Sequence, residues 1–525
     1  MSEKINLKIE SILGGHSPTI FFKSGEGQFI SSVGIDPDNT YIPDSFSNRS
    51  LGVITPVSYS KFSNTEVNAA PIWIITNPKN AKVYTYLANG KFISYTATLT
   101  TETVIGTPTS GAGNGCVYYN NYIYLMTPTD VSRYGPLDGS PSLVNTVWTG
   151  ATLGSQTALT NTSYPSYVVN YPNHVGYVHT DNTLYFLDYK NGQGLVHKIK
   201  TSKVTNEGDT NDGSAYNVLD LPFGYLPTDI KGYGTDLVIL AMQTSDATLN
   251  QGQSALFFWD TISDSFYQQI PINDAMVTAL INKNGQLYIF SGNRNNGFRV
   301  SKYIGGYSFI EIDFFEEGHS PFPGAVDSYG ERLVLGSKIT DPVDALSVFS
   351  FGYKNAKLPT NARHSIARPS STGTNPVITS IKYAQQASGI HPRMLIGWKD
   401  DAGSGIDSLG GTPTSIFRSE MFMINRPFVI DNIRIPLSRT ITSSTSIGVK
   451  IWYDNGTTTK SLNTINNTNY TGLEVVAHYK SQEIEDAATA NFQGQSNFFL
   501  EFTMNGTDQN QILLPVEIKV TTFDD

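Results

Sequence analysis

Three observations predict an all-β fold: the residue types the chain favours, a turn-then-apolar-strand unit that recurs along most of its length, and a change to clean two-residue alternation near residue 415. Tyr (29), Phe (27) and Gly (46) are abundant while charged residues make up only 15%. Aromatic and turn-forming residues in place of Glu, Lys, Ala and Leu mark strand-rich chains. At 525 residues the chain exceeds what one small core organises, so two or three domains are expected.

The recurring unit is clearest at "GQLYIFSGNRNNGFRVSKYIGGYSFIEID", residues 285 to 313. It reads as a turn, an apolar run, a polar loop, an alternating run, a Gly-Gly turn and another alternating run, hence three strands and no helix. Turn residues followed by a short apolar run recur at Val83, Tyr122, Leu184, Leu237, Leu287, Leu333 and Met394, with gaps of 39, 62, 53, 50, 46 and 61 residues. A four-stranded propeller blade takes roughly 40–50 residues, stretched by longer loops. Each apolar run is the strand expected to lie buried between neighbouring blades, with Leu287 and Leu333 as core positions. "ALFFWDTISDSFYQQIPI" supplies an outer hairpin around Ser263-Asp264. A β-helix would need short strict repeats, which are absent; an irregular assembly of β-sandwiches is the other all-β reading. The prediction is a β-propeller of about seven blades over residues 63–414. Residues 1–62 are expected to contribute closing strands, with 19 to 62 as the donors.

From residue 415 to 525 the pattern changes. "FVIDNIRIPLS" and "SIGVKIWYDNGTTTKSL" alternate cleanly, with Ile447, Val449, Ile451 and Tyr453 on one face, and "NFFLEFTMNG" and "ILLPVEIKVTTF" do much the same. Asn455-Gly456 and Asn505-Gly506 are hairpin-turn signals. Such a segment reads as an antiparallel β-sandwich. "SQEIEDAATANF" is the one amphipathic stretch and reads as a short helix.

Net charge is −10 and the pI about 5.3, which argues against a nucleic-acid-binding surface needing excess Lys and Arg. The single cysteine, Cys116, excludes an intrachain disulfide and a cysteine-rich metal site. "MSEKINLKIESILGG" has no apolar signal core, and no stretch has the apolar length to cross a bilayer, so synthesis and folding in a cytoplasm without membrane insertion are expected.

The order of the C-terminal strands carries a resemblance. An apolar strand, an alternating strand running into a Y-D-N-G turn, "TKSLNTIN", then "FFLEFTMNGTDQNQILLPVEIKVTTF" resembles the sandwich that closes many tailed-bacteriophage tail proteins. The preceding propeller is similar to the nozzle or tail-tip propellers of short-tailed phages. The likeness covers most of the chain in composition and strand order, without an invariant motif. It implies a non-enzymatic virion structural protein, made in the host cytoplasm and resident in the tail. Its partners would be copies of itself and other tail proteins around the tail axis, with DNA only as transiting cargo. No family active site carries over. A receptor- or glycan-binding adhesin and a polysaccharide-degrading enzyme on a propeller are the alternatives from other functional classes; a cytoplasmic propeller scaffold is a third.

No catalytic residue and no cofactor is expected. His174 and His179 in "HVGYVH" are five apart and so fall on opposite faces of a strand. Cys116 reads as a small buried residue, since a nucleophile would need a base and an orienting group beside it. Glu316-Glu317 and Asp400-Asp401 are adjacent pairs whose side chains diverge, whereas glycosidase chemistry needs two carboxyls facing one gap. The candidates for a bound cation are Asp36 and Asp38 in "GIDPDNTYIPD" and Asp209 and Asp212 in "NEGDTNDG". An EF-hand loop from Asp209 fails because Ser214 stands where Gly is required, and Asp-Asn-Gly clusters also make ordinary turns. Trp148, Trp259, Trp398, Tyr119 and Tyr164 are aromatics that would either stack on sugars or wedge between sheets.

Overall fold

The structure is a computed structural model. It describes residues 2–12, 14–16, 28–37, 54, 59–61, 65–77, 81–96, 101–109, 111–148, 174–200, 215–243, 253–293, 297–315, 320–339, 345–352, 363–384 except 375, 393–409, 414–453 except 425, 458–461, 464–468, 472–478, 497–506 and 512–523. Among them the protein is all-β, built of small antiparallel sheets, with one 3-10 turn at Pro323–Ala325 and no α-helix. "SQEIEDAATANF" lies outside the described residues.

Six consecutive four-stranded sheets span 71–106, 115–148, 176–223, 225–272, 276–315 and 326–367, each with its strands side by side in chain order. A seventh takes three strands from 377–409 and its fourth from Tyr59–Lys61, paired antiparallel to Ser404–Leu409 with Lys61 opposite Asp407. The first strand of each sheet packs against the first strand of the next. The first strand of the seventh, Val377–Ala384, packs against that of the first, Pro71–Thr76. Sheets radiating from a closed ring of first strands form the arrangement of a β-propeller.

The seven apolar runs found in the sequence are the second strand of each sheet, one step out from the ring. The second strand has a sheet neighbour on each side and a neighbouring sheet on each face, so nearly every side chain is buried. Leu237 through Met242 and Leu287 through Gly292 are unbroken buried runs. First strands are less uniformly apolar because polar side chains there bond between sheets. Asp229 Oδ2 accepts from Leu280 N at 2.8 Å, Asp327 Oδ2 from Tyr383 N at 2.8 Å, and Thr379 Oγ1 donates to Pro71 O at 2.8 Å. Register shifts recur in the first strands, at Pro71/Trp73, Pro227/Asp229, Val277/Ala279 and Ile378/Ser380. A bulge turns a side chain out of the alternation.

The turn before the sixth sheet enters the ring. Pro323–Ala325 is buried and touches the first strands of the fifth, seventh and first sheets. A Cβ on Gly324 would lie 2.4 Å from Ile72 O and 3.2 Å from Thr379 O. The turn therefore fills the interior of the ring at the level of Ile72 and Thr379.

Two further sheets follow. One has the order Ser2–Ile9, Val516–Phe523, Phe428–Pro436, Glu474–His478. The other runs Thr458–Ser461, Thr445–Tyr453, Asn497–Gly506, Thr414–Arg418, Ser31–Val33, with Phe422–Met423 also on Asn497–Gly506. Their inner faces share one apolar core, with Ile433, Ile518 and Val520 from the first and Ile447, Val449 and Phe502 from the second. The alternation is near-perfect in Thr445–Tyr453, where every odd residue from Thr445 is buried. Asn505-Gly506 is not a turn: both residues stay in their strand, opposite Ser446 and Thr445. Asn455-Gly456 lies outside the described residues.

The N-terminal residues do more than close the ring. Ser2–Ile9 pairs with the last strand of the chain over eight residue pairs, and Ser31–Val33 pairs with Thr414–Arg418. Among the described N-terminal residues, only Tyr59–Lys61 pairs into a sheet of the ring. Cutting the chain at residue 415 would thus uncover Ile9, Ile12, Phe29 and Val33, all at most 2% exposed.

Two substitutions test this packing. Leu287 is fully buried in the core shared by the fourth to seventh sheets. Leu287→Asp is expected to cost about 3–5 kcal/mol, as an unpaired charge in a dry interface does, and to give aggregated protein; a soluble variant with an unchanged melting temperature would remove residue 287 from the core. Gly324→Ala is expected to destabilise by about 1–3 kcal/mol, the range for overpacking, read as a lower melting temperature.

Candidate functional site

An open cleft between the fourth and fifth sheets holds about 560 Å³. Strand register explains its composition. In the fifth sheet Ile289, Ser301 and Glu311 stand opposite one another across three strands, and Ser291 stands opposite Arg299. The rows are neighbours on one face, and a register shift between Val300 and Ser301 brings Glu311 toward Arg299. The facing wall is Pro271–Asp274, the end of the fourth sheet's last strand and the loop that leaves it. Tyr307, at the Gly305-Gly306 turn, and Phe309 form the rim. Positive φ at both glycines (106° and 61°) lets the chain reverse there and presents Tyr307, which is 70% exposed.

Arg299 occupies the centre. Its Nε lies 3.0 Å from Asp274 Oδ2 and its Nη1 donates to Glu311 Oε2 at 2.9 Å. Asp274 is buried and also accepts from Ser291 Oγ at 2.5 Å. Asn293 Oδ1 accepts from Ala275 N at 3.0 Å. With two carboxylates and one guanidinium, the cleft carries a net charge of minus one. Hydrolysis of a glycosidic bond needs open space between two carboxyls; here the guanidinium fills it.

The sequence candidates that can be placed have other employment. Asp36 receives the guanidinium of Arg332, with Nη1 to Oδ2 at 3.1 Å. Asp38, Asp209 and Asp212 lie outside the described residues. No group of three or more His, Cys, Asp or Glu placed to hold a metal occurs among the described residues. Asp400 accepts from Ser371 Oγ (2.7 Å) and from the N–H groups of Gly373, Ala402 and Gly403; although burial opposes it, these bonds hold its carboxyl below the usual range. Asp401 accepts from Thr374 N at 2.6 Å. The pair therefore staples two turns together. Glu316-Glu317 lies outside the described residues. Cys116 is buried, and burial pushes its thiol well up, away from the reactive thiolate.

The glycan-stacking candidates that can be placed are wedges. Trp259 is 2% exposed and donates Nε1 to Ser263 O at 2.6 Å. Trp398 is buried with Nε1 on Asp407 Oδ1 at 2.8 Å, and Tyr119 is buried with its hydroxyl between the carbonyls of Asn182 and Lys200. The side chain of Trp148, and Tyr164, lie outside the described residues. Tyr307 and Phe309 were not among the candidates. Their one local signal is an aromatic beside a Gly-Gly turn; Asp274 comes from the neighbouring sheet.

Two buried polar clusters also escaped the sequence reading. In the third sheet, Asp188 sits between two histidines, none of the three exposed. His197 Nε2 lies 3.1 Å from Asp188 Oδ2 and His174 Nδ1 lies 3.6 Å from Oδ1. His197 Nδ1 accepts from Asn217 N at 2.9 Å, so the ring proton stands on Nε2, facing the carboxylate. The second cluster lies where N-terminal residues meet the sixth sheet. Ile35 N bonds Ser365 O at 3.0 Å, the Phe29 ring lies 5.5 Å from His364, and Arg363 contacts His16 while its Nη1 reaches Asp313 Oδ2 at 3.0 Å. Burial, then the nearby Arg332, lowers His364 to about 3; burial, then Arg363, lowers His16 well below its ordinary value.

No family model and no curated protein matches the chain. Among solved structures it is similar to the computationally designed Ika8 protein (TM-score 0.38, 9% identity, 68% of this chain and 86% of that one). It is similar also to the extracellular domain of a hybrid two-component system from B. thetaiotaomicron (0.39, 13%, 74% and 45%) and to the β-propeller domain of Myceliophteria thermophila Cps50 (Swd1) (0.41, 8%, 67% and 98%). Likenesses of this size say nothing of what the chain does.

The seam has a pH signature. The unfolded chain protonates its histidines below about pH 6.5, while His364 in the folded protein stays neutral until about 3. Its contribution is thus complete above pH 6.5 and lost as pH falls from there toward 3, at up to about 1.4 kcal/mol per pH unit. The melting temperature is expected to fall from pH 7 to pH 5, and His364→Gln to fall less steeply; equal slopes would assign the effect elsewhere.

Proposed function

We propose that this chain is a structural protein of a bacteriophage tail, non-enzymatic, assembling with copies of itself and other tail proteins around the tail axis. In this reading the seven sheets are the blades of one seven-bladed propeller and residues 415–525, with strands from residues 1–62, form a C-terminal β-sandwich. The observation that carries it is the lacing of the two parts. N-terminal residues supply a strand to each of the two C-terminal sheets and the closing strand of the ring, and salt bridges and backbone bonds fasten them to the sixth sheet on the way. Load on either part is then shared by antiparallel ladders whose bonds must shear together. A body of this kind transmits force well, and the strand order of its C-terminal part resembles that of tail proteins.

Placed in a tail, the chain would work at a fixed position and high local concentration, so its contacts need not hold in dilute solution. DNA would pass it as cargo. Because Pro323–Ala325 fills the ring at the level of Ile72 and Thr379, the passage would run between copies set around the tail axis, not through each ring. The net charge of −10 suits a wall that phosphates do not adhere to. Among the described residues no helix is long and apolar enough to cross a membrane; the reading places the protein in the virion, made in the host cytoplasm.

Immunogold labelling of purified particles with antibody to this chain tests the assignment. Label is expected on the tail, with repeated copies around its axis in electron micrographs. Unlabelled particles, together with saturable turnover of a polysaccharide that one carboxylate substitution abolishes, would replace the structural reading with the enzymatic one.

A further inference from the structure

The cleft between the fourth and fifth sheets has polar groups that make no hydrogen bond to other described residues. Arg299 is held by Asp274 and Glu311 from two directions, through its Nε and Nη1, and its Nη2 makes no hydrogen bond to another described residue. Glu311 Oε1, Asn293 Nδ2 and the side-chain amide of Asn273 make no hydrogen bond to other described residues. Around them stand Ile289 and Ile272, and the rim carries Tyr307 and Phe309. Donors and acceptors on one side and aromatic surface on the other, around 560 Å³, match the sites that hold small ligands, which span about 300–1,000 Å³.

We infer that this cleft binds a neutral saccharide, with a pyranose face against Tyr307 and its hydroxyls bridging Glu311, Arg299 and Asn293. Each chemical requirement narrows the class. A sugar ring is apolar on its C–H face and carries hydroxyls at its edge that donate and accept at once. Glu311 takes donated protons, while Arg299 and Asn293 supply them. An apolar ligand would strip water from the guanidinium and both carboxylates without replacing their bonds. An acidic sugar or a phosphate would meet two carboxylates against one guanidinium. Arg299 is fixed in place before any ligand arrives, as is Asp274 by Ser291, so little ordering is left to oppose binding. The inference does not depend on the tail assignment: an adhesive site on a tail protein and one on a free adhesin would be built alike.

The test is calorimetric titration of the full chain with neutral oligosaccharides of glucose, mannose and N-acetylglucosamine, with sialyllactose, and with a lysine-rich peptide. Saturable binding of at least one of the neutral sugars is expected, with little change when salt is raised. Tyr307→Ala and Glu311→Gln are each expected to weaken it about tenfold, the loss of one stacking face or one charge-assisted bond. Tyr307 is 70% exposed and the Glu311 side chain 49%, so both variants should keep the parental melting temperature. No binding across the neutral panel overturns the inference. So does binding indifferent to both substitutions, binding of sialyllactose alone, or salt-sensitive binding of the peptide alone, which would make the cleft a cation site.

Discussion

The structure depends on ring closure. The seventh sheet has only three strands of its own, and without Tyr59–Lys61 it would end in an unpaired edge at Ser404–Leu409. An open edge is both a lost ladder and a template for aggregation. Closure also needs the seventh sheet held to the first, where Thr379 Oγ1 and Ser380 Oγ both donate to Pro71 O at 2.8 and 2.5 Å. The segment that closes the ring follows the residues that pair into the C-terminal sheets, so the two parts share one set of strands.

That sharing places charge in dry surroundings. Arg332 and Arg363 are 6% and 8% exposed where the N-terminal residues cross the sixth sheet. Taking a guanidinium out of water is costly unless a partner and further hydrogen bonds replace the solvent. Asp36 and Asp313 supply those partners, and the ring of Phe315 stacks 4.5 Å from Arg363. Burial pushes the Asp313 carboxyl up even so, with Arg363 opposing it. The seam is specific rather than strongly stabilising: a segment lacking Asp36 would take from buried Arg332 the carboxylate that balances its charge.

The same economy explains where polar residues stand elsewhere. Asp229, Asp327, Asp400 and Asp407 each accept backbone or side-chain donors from another turn or sheet. Asp188 holds His197 in a fully buried site. These are groups a search for catalytic chemistry would select, and each is engaged in bonds within the fold. The cleft beside Arg299 differs because its polar groups are only partly satisfied by one another and face solvent.

Strand content and period were legible because they are local. A second strand has neighbours on both edges and both faces, so its residues are nearly all apolar, and seven such runs can be counted without knowing any contact. Alternation did the same for Ile447, Val449 and Ile451, whose side chains share one buried face. Asn505-Gly506 misled because a turn signal acts only where the chain is free to reverse, and pairing to Ser446 and Thr445 holds it extended. Pairings across hundreds of residues have no such local mark. Ser2–Ile9 against Val516–Phe523, Asp36 against Arg332, and Asp274 beside Arg299 exist only once the sheets are in place. A side chain's partner across a sheet or between sheets is chosen by packing and register, not by its neighbours along the chain. The strands could therefore be read from residue order, while the lacing of the N-terminal residues and the cleft beside Arg299 were decided by the tertiary structure.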